Sequence, residues 1–166
     1  MQFGRFPVAG AIGAILAHGV RQGDLSFRKG RILSADDVQA LKDAGISDIT
    51  IAWTEPGDVP EDKAAARIAA AAAAKDGSVR IGAAFTGRVN LYAETGGLAL
   101  IDAATIDAAN AQDEAITLAT LQHFAKVAAG QMLATIKIIP FAAHETGVAA
   151  VETILAASAA IRVAPF

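Results

Sequence analysis

The residues best suited to chemistry lie in one stretch, Phe85-Thr86-Gly87-Arg88-Val89-Asn90-Leu91-Tyr92. Past the Thr-Gly break it reads as a strand, so Arg88 and Asn90, two residues apart, share a face. Arginine is a planar bidentate donor for phosphate or carboxylate, asparagine donates from its amide, and a glycine lets a backbone N–H approach a ligand. Thr86, Gly87, Arg88 and Asn90 could together cradle an oxyanion. The plainer alternative is that Arg88 pairs with Glu94, Asp113 or Glu114 and seals a sheet edge. Lys137 lies in a largely apolar strand, Gln131 to Ile139. Either that strand has a solvated face, or the ammonium is aimed at an anion. Asp113 and Glu114 are adjacent, and neighbours on a strand point to opposite faces, so they make a poor acid/base pair. As a turn or cap they need no ligand, though Asp113 is also placed to partner Arg88 or to position a ligand hydroxyl.

Other chemistries have little support in spacing. No G-x-x-x-x-G-K or G-x-G-x-x-G phosphate loop is present. His18, His123 and His144 are isolated, with no metal-ligand spacing among them. No serine sits in a G-x-S-x-G setting. The spacing alone therefore names no reaction.

The elements that must position these residues follow from periodicity and punctuation. Residues 1–33 read as short extended pieces, with Ile12–His18 as a strand entry and Gly19, Gly23 and Gly30 as turns. The basic cluster Arg28, Lys29 and Arg31 beside Gly30 is a solvated hairpin tip or a docking point for an anion. Ser34 with Asp37 predicts a capped helix carrying Val38, Leu41 and Ala44 on one face, and Gly45 closes it. A strand over Ile46–Trp53 follows. Asp58 with Glu61 is a second capping pattern, with Pro60 in the first turn, and predicts an alanine-rich helix to about Lys75. Strands are expected over Val79–Ala84 and Arg88–Glu94, with Thr95-Gly96-Gly97 turning a hairpin into Leu98–Ile101. Asp102 caps a helix over about Ala103–Ala111. Strands at Ile116–Leu121 and Gln131–Ile139, a helix over 145–160 and an extended end, Ile161–Phe166, complete the pattern.

Composition sets the bounds. A chain of 166 residues with 54% apolar residues is about one domain and buries roughly two-thirds of its unfolded surface. Much of the apolar fraction is alanine, so the core must rest on Ile, Leu, Val and seven Phe. A net charge of −3 and a pI of about 5.5 argue against a general nucleic-acid binder. With no cysteine there is no disulfide or thiolate metal site. No signal peptide or membrane-spanning run is read, so the cytoplasm is the expected compartment.

Three segments carry a resemblance: Thr86-Gly87-Arg88-Val89-Asn90-Leu91, Asp113-Glu114-Ala115-Ile116-Thr117-Leu118-Ala119-Thr120, and Gly130-Gln131-Met132-Leu133-Ala134-Thr135-Ile136-Lys137-Ile138-Ile139-Pro140-Phe141. In these the chain resembles the N-terminal region of bacterial molybdopterin-binding proteins, relatives of the molybdopterin molybdotransferases of molybdenum cofactor biosynthesis. The resemblance implies an accessory part of a cofactor-handling protein. Its ligand would be molybdopterin or its nucleotide form, met by Thr86, Gly87, Arg88, Asn90, Asp113 and Lys137, with a further domain expected after Phe166. The alternative is a structural module that forms a homo-oligomer and has no ligand of its own.

The expectation is thus a single α+β domain over 1–166, with a mostly antiparallel sheet, closed in part toward a barrel in one variant, and about three helices. No metal, nucleic acid or membrane partner is expected.

Overall fold

In a computed structural model of the chain, which describes residues 1–166, Ser34 starts the first helix as its pattern predicts. Its hydroxyl accepts from Asp37 N, and the Asp37 carboxylate accepts in return from Ser34 N, each at 3.1 Å. This capping box satisfies two of the helix's unpaired N–H groups. Asp37 also receives two hydrogen bonds of 2.8 Å from the Arg31 guanidinium, which lies 4.6 Å over the Phe27 ring. Arg31, from the basic cluster, is therefore committed to holding a helix start.

The chain forms two compact units, Met1–Asp58 and Val59–Phe166. The first unit contains β1 (Gln2–Pro7), β2 (Ile15–Leu16), β3 (Val20–Gln22), β4 (Leu25–Phe27), helix α1 (Ala35–Asp43) and β5 (Asp48–Trp53). β5 is central, with β1 and β2 antiparallel on its two sides, and β3 and β4 form a separate hairpin. Its core gathers Val8, Leu16, Leu33, Val38, Leu41 and Ile51.

The second unit opens with β6 (Asp58–Pro60) and α2 (Glu61–Ala72), followed by β7 (Val79–Ile81), β8 (Arg88–Ala93), β9 (Gly97–Ile101), α3 (Ala103–Asn110), β10 (Ile116–Thr120), β11 (Lys126–Val127), β12 (Met132–Ile138), β13 (Ala142–His144), α4 (Glu145–Ala156) and β14 (Ile161–Pro165). A four-stranded antiparallel sheet runs β10-β12-β8-β7, a three-stranded one β11-β9-β14, and β13 pairs with β6. Alanines make α2 thin: Ala64, Ala65, Ala69 and Ala72 are buried beside Ile68, and the helix packs on β8, β12 and α4. Arg67 clamps α2 to α4, with its guanidinium forked onto both Glu145 and Glu152. These hydrogen bonds hold the Glu145 carboxyl below its ordinary range and push the guanidinium's pKa up.

The α+β class is as expected, with four helices rather than about three, strands in five small sheets, and no closed barrel. Two local expectations need correction. Thr95-Gly96-Gly97 does not turn a hairpin: β9 leaves the β8 sheet and pairs with β14 and β11. Asp58 does not cap α2: its carboxylate accepts from Glu55 N at 2.8 Å, closing the turn before it, and the helix begins after Pro60 with no side-chain cap. The exposed side of β10 is blocked by α3, because the Asn110 amide bonds both the N–H and the C=O of Leu118, at 2.8 and 3.0 Å. A side chain thus stands where a neighbouring strand would dock.

Asp37 supplies a test of the first unit. The Arg31 hydrogen bonds, ahead of opposing desolvation, hold its carboxyl below the ordinary value. A depressed folded pKa stabilises fully above the unfolded value of about 3.9, and that contribution is lost as pH falls through the folded pKa. Asp37→Asn should therefore flatten the acid limb of stability below about pH 4, read from denaturant midpoints across pH. An unchanged acid limb would remove Asp37 from the explanation.

Candidate functional site

The four-stranded sheet is covered by helices on one face only. Val89, Leu91 and Ala93 of β8, with Ile136 and Ile138 of β12, point into the core. Alternation then sends Arg88, Asn90 and Tyr92 to the other face, as the sequence pattern requires. Register places Arg88 beside Lys137, Asn90 beside Thr135 and Tyr92 beside Arg80.

Along this face lies an open groove of about 370 Å³, lined among others by Gly82, Phe85, Thr86, Arg88, Asn90 and Tyr92. The Arg88 side chain is exposed and donates from Nη1 to Thr135 Oγ1 at 2.9 Å; none of its anticipated acidic partners binds it. Glu94 lies instead 3.6 Å from Arg80, whose guanidinium stands 4.6 Å over the Tyr92 ring. Asn90 Nδ2 donates to the Tyr92 hydroxyl at 3.2 Å, while Asn90 Oδ1 is buried with no donor. Phe85 is 75% exposed at the rim.

The Thr86-Gly87 break is a tight reversal. Phe85 and Arg88 exchange backbone hydrogen bonds of 3.0 and 3.1 Å, and both central residues have positive φ, +49° and +71°. Those angles are the signature of a type I′ turn, which suits glycine and strains threonine. The turn is latched to the start of α2. Gly87 N donates to Asp62 Oδ1 at 2.6 Å, Lys137 Nζ donates to Thr86 O at 2.6 Å, and Lys137 also lies 3.6 Å from Glu61. The anion beside the glycine N–H is thus the protein's own carboxylate, and Lys137 serves the turn. A Cβ on Gly87 would fall against Glu61 Oε2, Lys137 Nζ and Ile138 O.

Five of the six expected site residues therefore gather: Thr86, Arg88 and Asn90 line the groove, and Gly87 and Lys137 hold the turn at its end. Asp113 sits apart. Its Oδ1 accepts from Ala115 N at 2.9 Å, and its carboxylate rests on Gly147 in the first turn of α4, where no side chain would fit. The sequence reading missed Phe85 and Tyr92 as lining residues; for Tyr92 the signal was its place two residues beyond Asn90 in an alternating strand, and for Phe85 its place across the Thr86-Gly87 break from Arg88. No group of three or more His, Asp or Glu side chains could hold a metal ion, and no helix is long and apolar enough to cross a membrane.

Among known families, one described as a domain of unknown function (DUF8806) matches residues 5–53. That range lies inside the first unit and stops well short of the groove. No curated protein and no solved structure matches the chain.

Two substitutions test this geometry. Gly87→Ala combines a left-handed backbone with three close contacts and should cost about 2–4 kcal/mol in denaturant unfolding; a neutral result would deny the latch. Asn90→Val removes an acceptor buried without a donor and adds a strand former, so it should raise stability by about 1 kcal/mol. A clear loss would mean that the Oδ1 is satisfied.

Proposed function

We propose that this chain is a non-catalytic, ligand-binding part of a molybdopterin-handling protein, acting in molybdenum cofactor biosynthesis or transfer. The open face of the four-stranded sheet is one wall of the site. One observation carries the reading: the groove on that face gathers Thr86, Arg88 and Asn90 with two aromatic rings, Phe85 and Tyr92, around a guanidinium that has no carboxylate partner. A planar, phosphate-bearing ligand is what such a set recognises. The guanidinium takes the phosphate bidentately, and the rings offer faces for stacking. A ligand N–H would satisfy Asn90 Oδ1 once neighbouring side chains give way. In this reading Lys137, Gly87 and Asp62 fix the turn that carries Phe85 and Thr86 rather than touching ligand. The sequence resemblance supplies the identity of the ligand, molybdopterin or its nucleotide form.

A second reading, a self-associating structural module, has its own observation. Between α2 and α4 runs a shallow groove of about 540 Å³ whose walls include Ala70, Ala71, Ala73 and Ala156. Small side chains of this kind allow close approach of another helix.

Thermal unfolding with molybdopterin and with its nucleotide form separates the two. A ligand at about 100 times its dissociation constant stabilises by roughly 2.7 kcal/mol, a rise of several degrees for a chain of this size. Arg88→Ala should abolish the rise while the unliganded protein melts nearly as before. No rise at saturation, together with a stable dimer on sizing, would transfer the function to the alanine groove.

A further inference from the structure

We infer that the depression beside His123, Ser158 and Arg162 is a second site, separate from the β8 groove, and that it takes a phosphate group. It measures about 230 Å³ and is lined by residues from the end of β9, the β10–β11 loop, the α4–β14 loop and β14. The three stretches that supply the walls, residues 100–102, 123 and 158–162, are 21 or more positions apart in sequence, and no spacing motif connects them. Two bonds from backbone N–H groups tie the walls: Ile101 N donates to His123 Nδ1 at 3.0 Å, and Asp102 N donates to Ala160 O at 2.9 Å.

The first of these bonds decides what His123 can do. An Nδ1 that accepts from a backbone N–H carries no proton, so the ring proton sits on Nε2 and is a donor. The ring is braced by Phe124, whose centroid is 3.8 Å away and whose backbone takes a left-handed φ of +65°. Arg162 projects from the solvent side of β14, opposite Leu100, and has no carboxylate within salt-bridge distance, feeling Asp76 only at longer range. A neutral N–H donor and an unpaired guanidinium therefore border one concavity.

A nucleophilic serine is not what this arrangement builds. Ser158 Oγ donates to Thr105 Oγ1 at 3.3 Å, and Thr105 Oγ1 donates to Asp102 Oδ2 at 2.8 Å. The hydroxyl proton runs toward the α3 cap and not toward His123, whose Nδ1 is already engaged. The Asp102 carboxylate is likewise turned into its cap, with Oδ1 accepting from Thr105 N at 3.1 Å. Its charge still opposes an anion, so the phosphate sits on the His123–Arg162 side. Ala159, a non-glycine residue at φ +48°, holds the adjoining wall in a left-handed conformation that side chains disfavour.

Titration of the full chain with inorganic phosphate, followed by amide and side-chain N–H NMR, tests the site. The Ile101 amide and the Arg162 Nε–H should shift saturably, with a dissociation constant of about 1 mM or tighter, and acetate should bind more weakly. Arg162→Gln removes an exposed charge, and His123→Asn keeps an acceptor for Ile101 N while removing the Nε2 donor. Each should weaken binding roughly tenfold with the fold intact. Asp102→Asn keeps a capping oxygen, loses the opposing charge and should tighten binding. Arg88→Ala should leave it unchanged. Absence of saturation, acetate binding as tight as phosphate, or binding that depends on Arg88 and not on Arg162 would overturn the inference.

Discussion

A sheet covered on one face only is the constraint from which the rest of the second unit follows. The thin helix α2 lies on β8 and β12 and takes up their inward residues, Val89, Leu91, Ile136 and Ile138. No helix packs on the opposite face. Because strand side chains alternate, burying Val89 and Leu91 forces Arg88, Asn90 and Tyr92 outward together, and antiparallel register sets Thr135, Lys137 and Arg80 beside them. The groove is therefore a by-product of how the core is packed. A one-residue slip of β8 would bury Arg88 and dissolve the site with the core.

Within that face the charges divide by whether the protein has already used them. Lys137 and the Gly87 N–H are spent on the turn and on the acidic start of α2, and Arg31, in the first unit, is spent on Asp37. Arg88 and Arg162 are not met by a carboxylate. A cation held by a hydroxyl or by nothing keeps most of its capacity for an incoming anion, whereas a bidentate pair must be broken first. This accounting, more than the count of basic residues, separates places where an anion could bind from places where arginine and lysine only hold the fold.

What could be read from the sequence was local. Ser34, Asp37 and Gly45 mark the ends of α1, and Asp102 marks the start of α3, because capping acts over three or four residues. The alternation in β8 was equally local and put Arg88 and Asn90 on one face correctly. What escaped depended on distant partners. Thr95-Gly96-Gly97 has the composition of a hairpin turn, yet β9 finds β14 some 60 residues on, and composition cannot choose between them. Asp58 suits a helix cap by type and spacing, but its carboxylate is taken by the Glu55 N–H. His123 and Arg162 become neighbours only through the β9–β14 pairing, so no spacing rule could have joined them.

The two units also differ in what family evidence can say of them. The family match covers residues 5–53, and the core of the first unit, from Val8 to Ile51, falls within the same limits. The second unit has its own core, from Val59 to Val163, and shares no core residue with the first. Both the β8 groove and the His123–Arg162 depression lie on that second unit. The family match, over residues 5–53, reaches neither Arg88 nor Arg162. In Val59–Phe166 the side chains that face outward, Arg88 on β8 and Arg162 on β14, alternate with buried ones on the same strands.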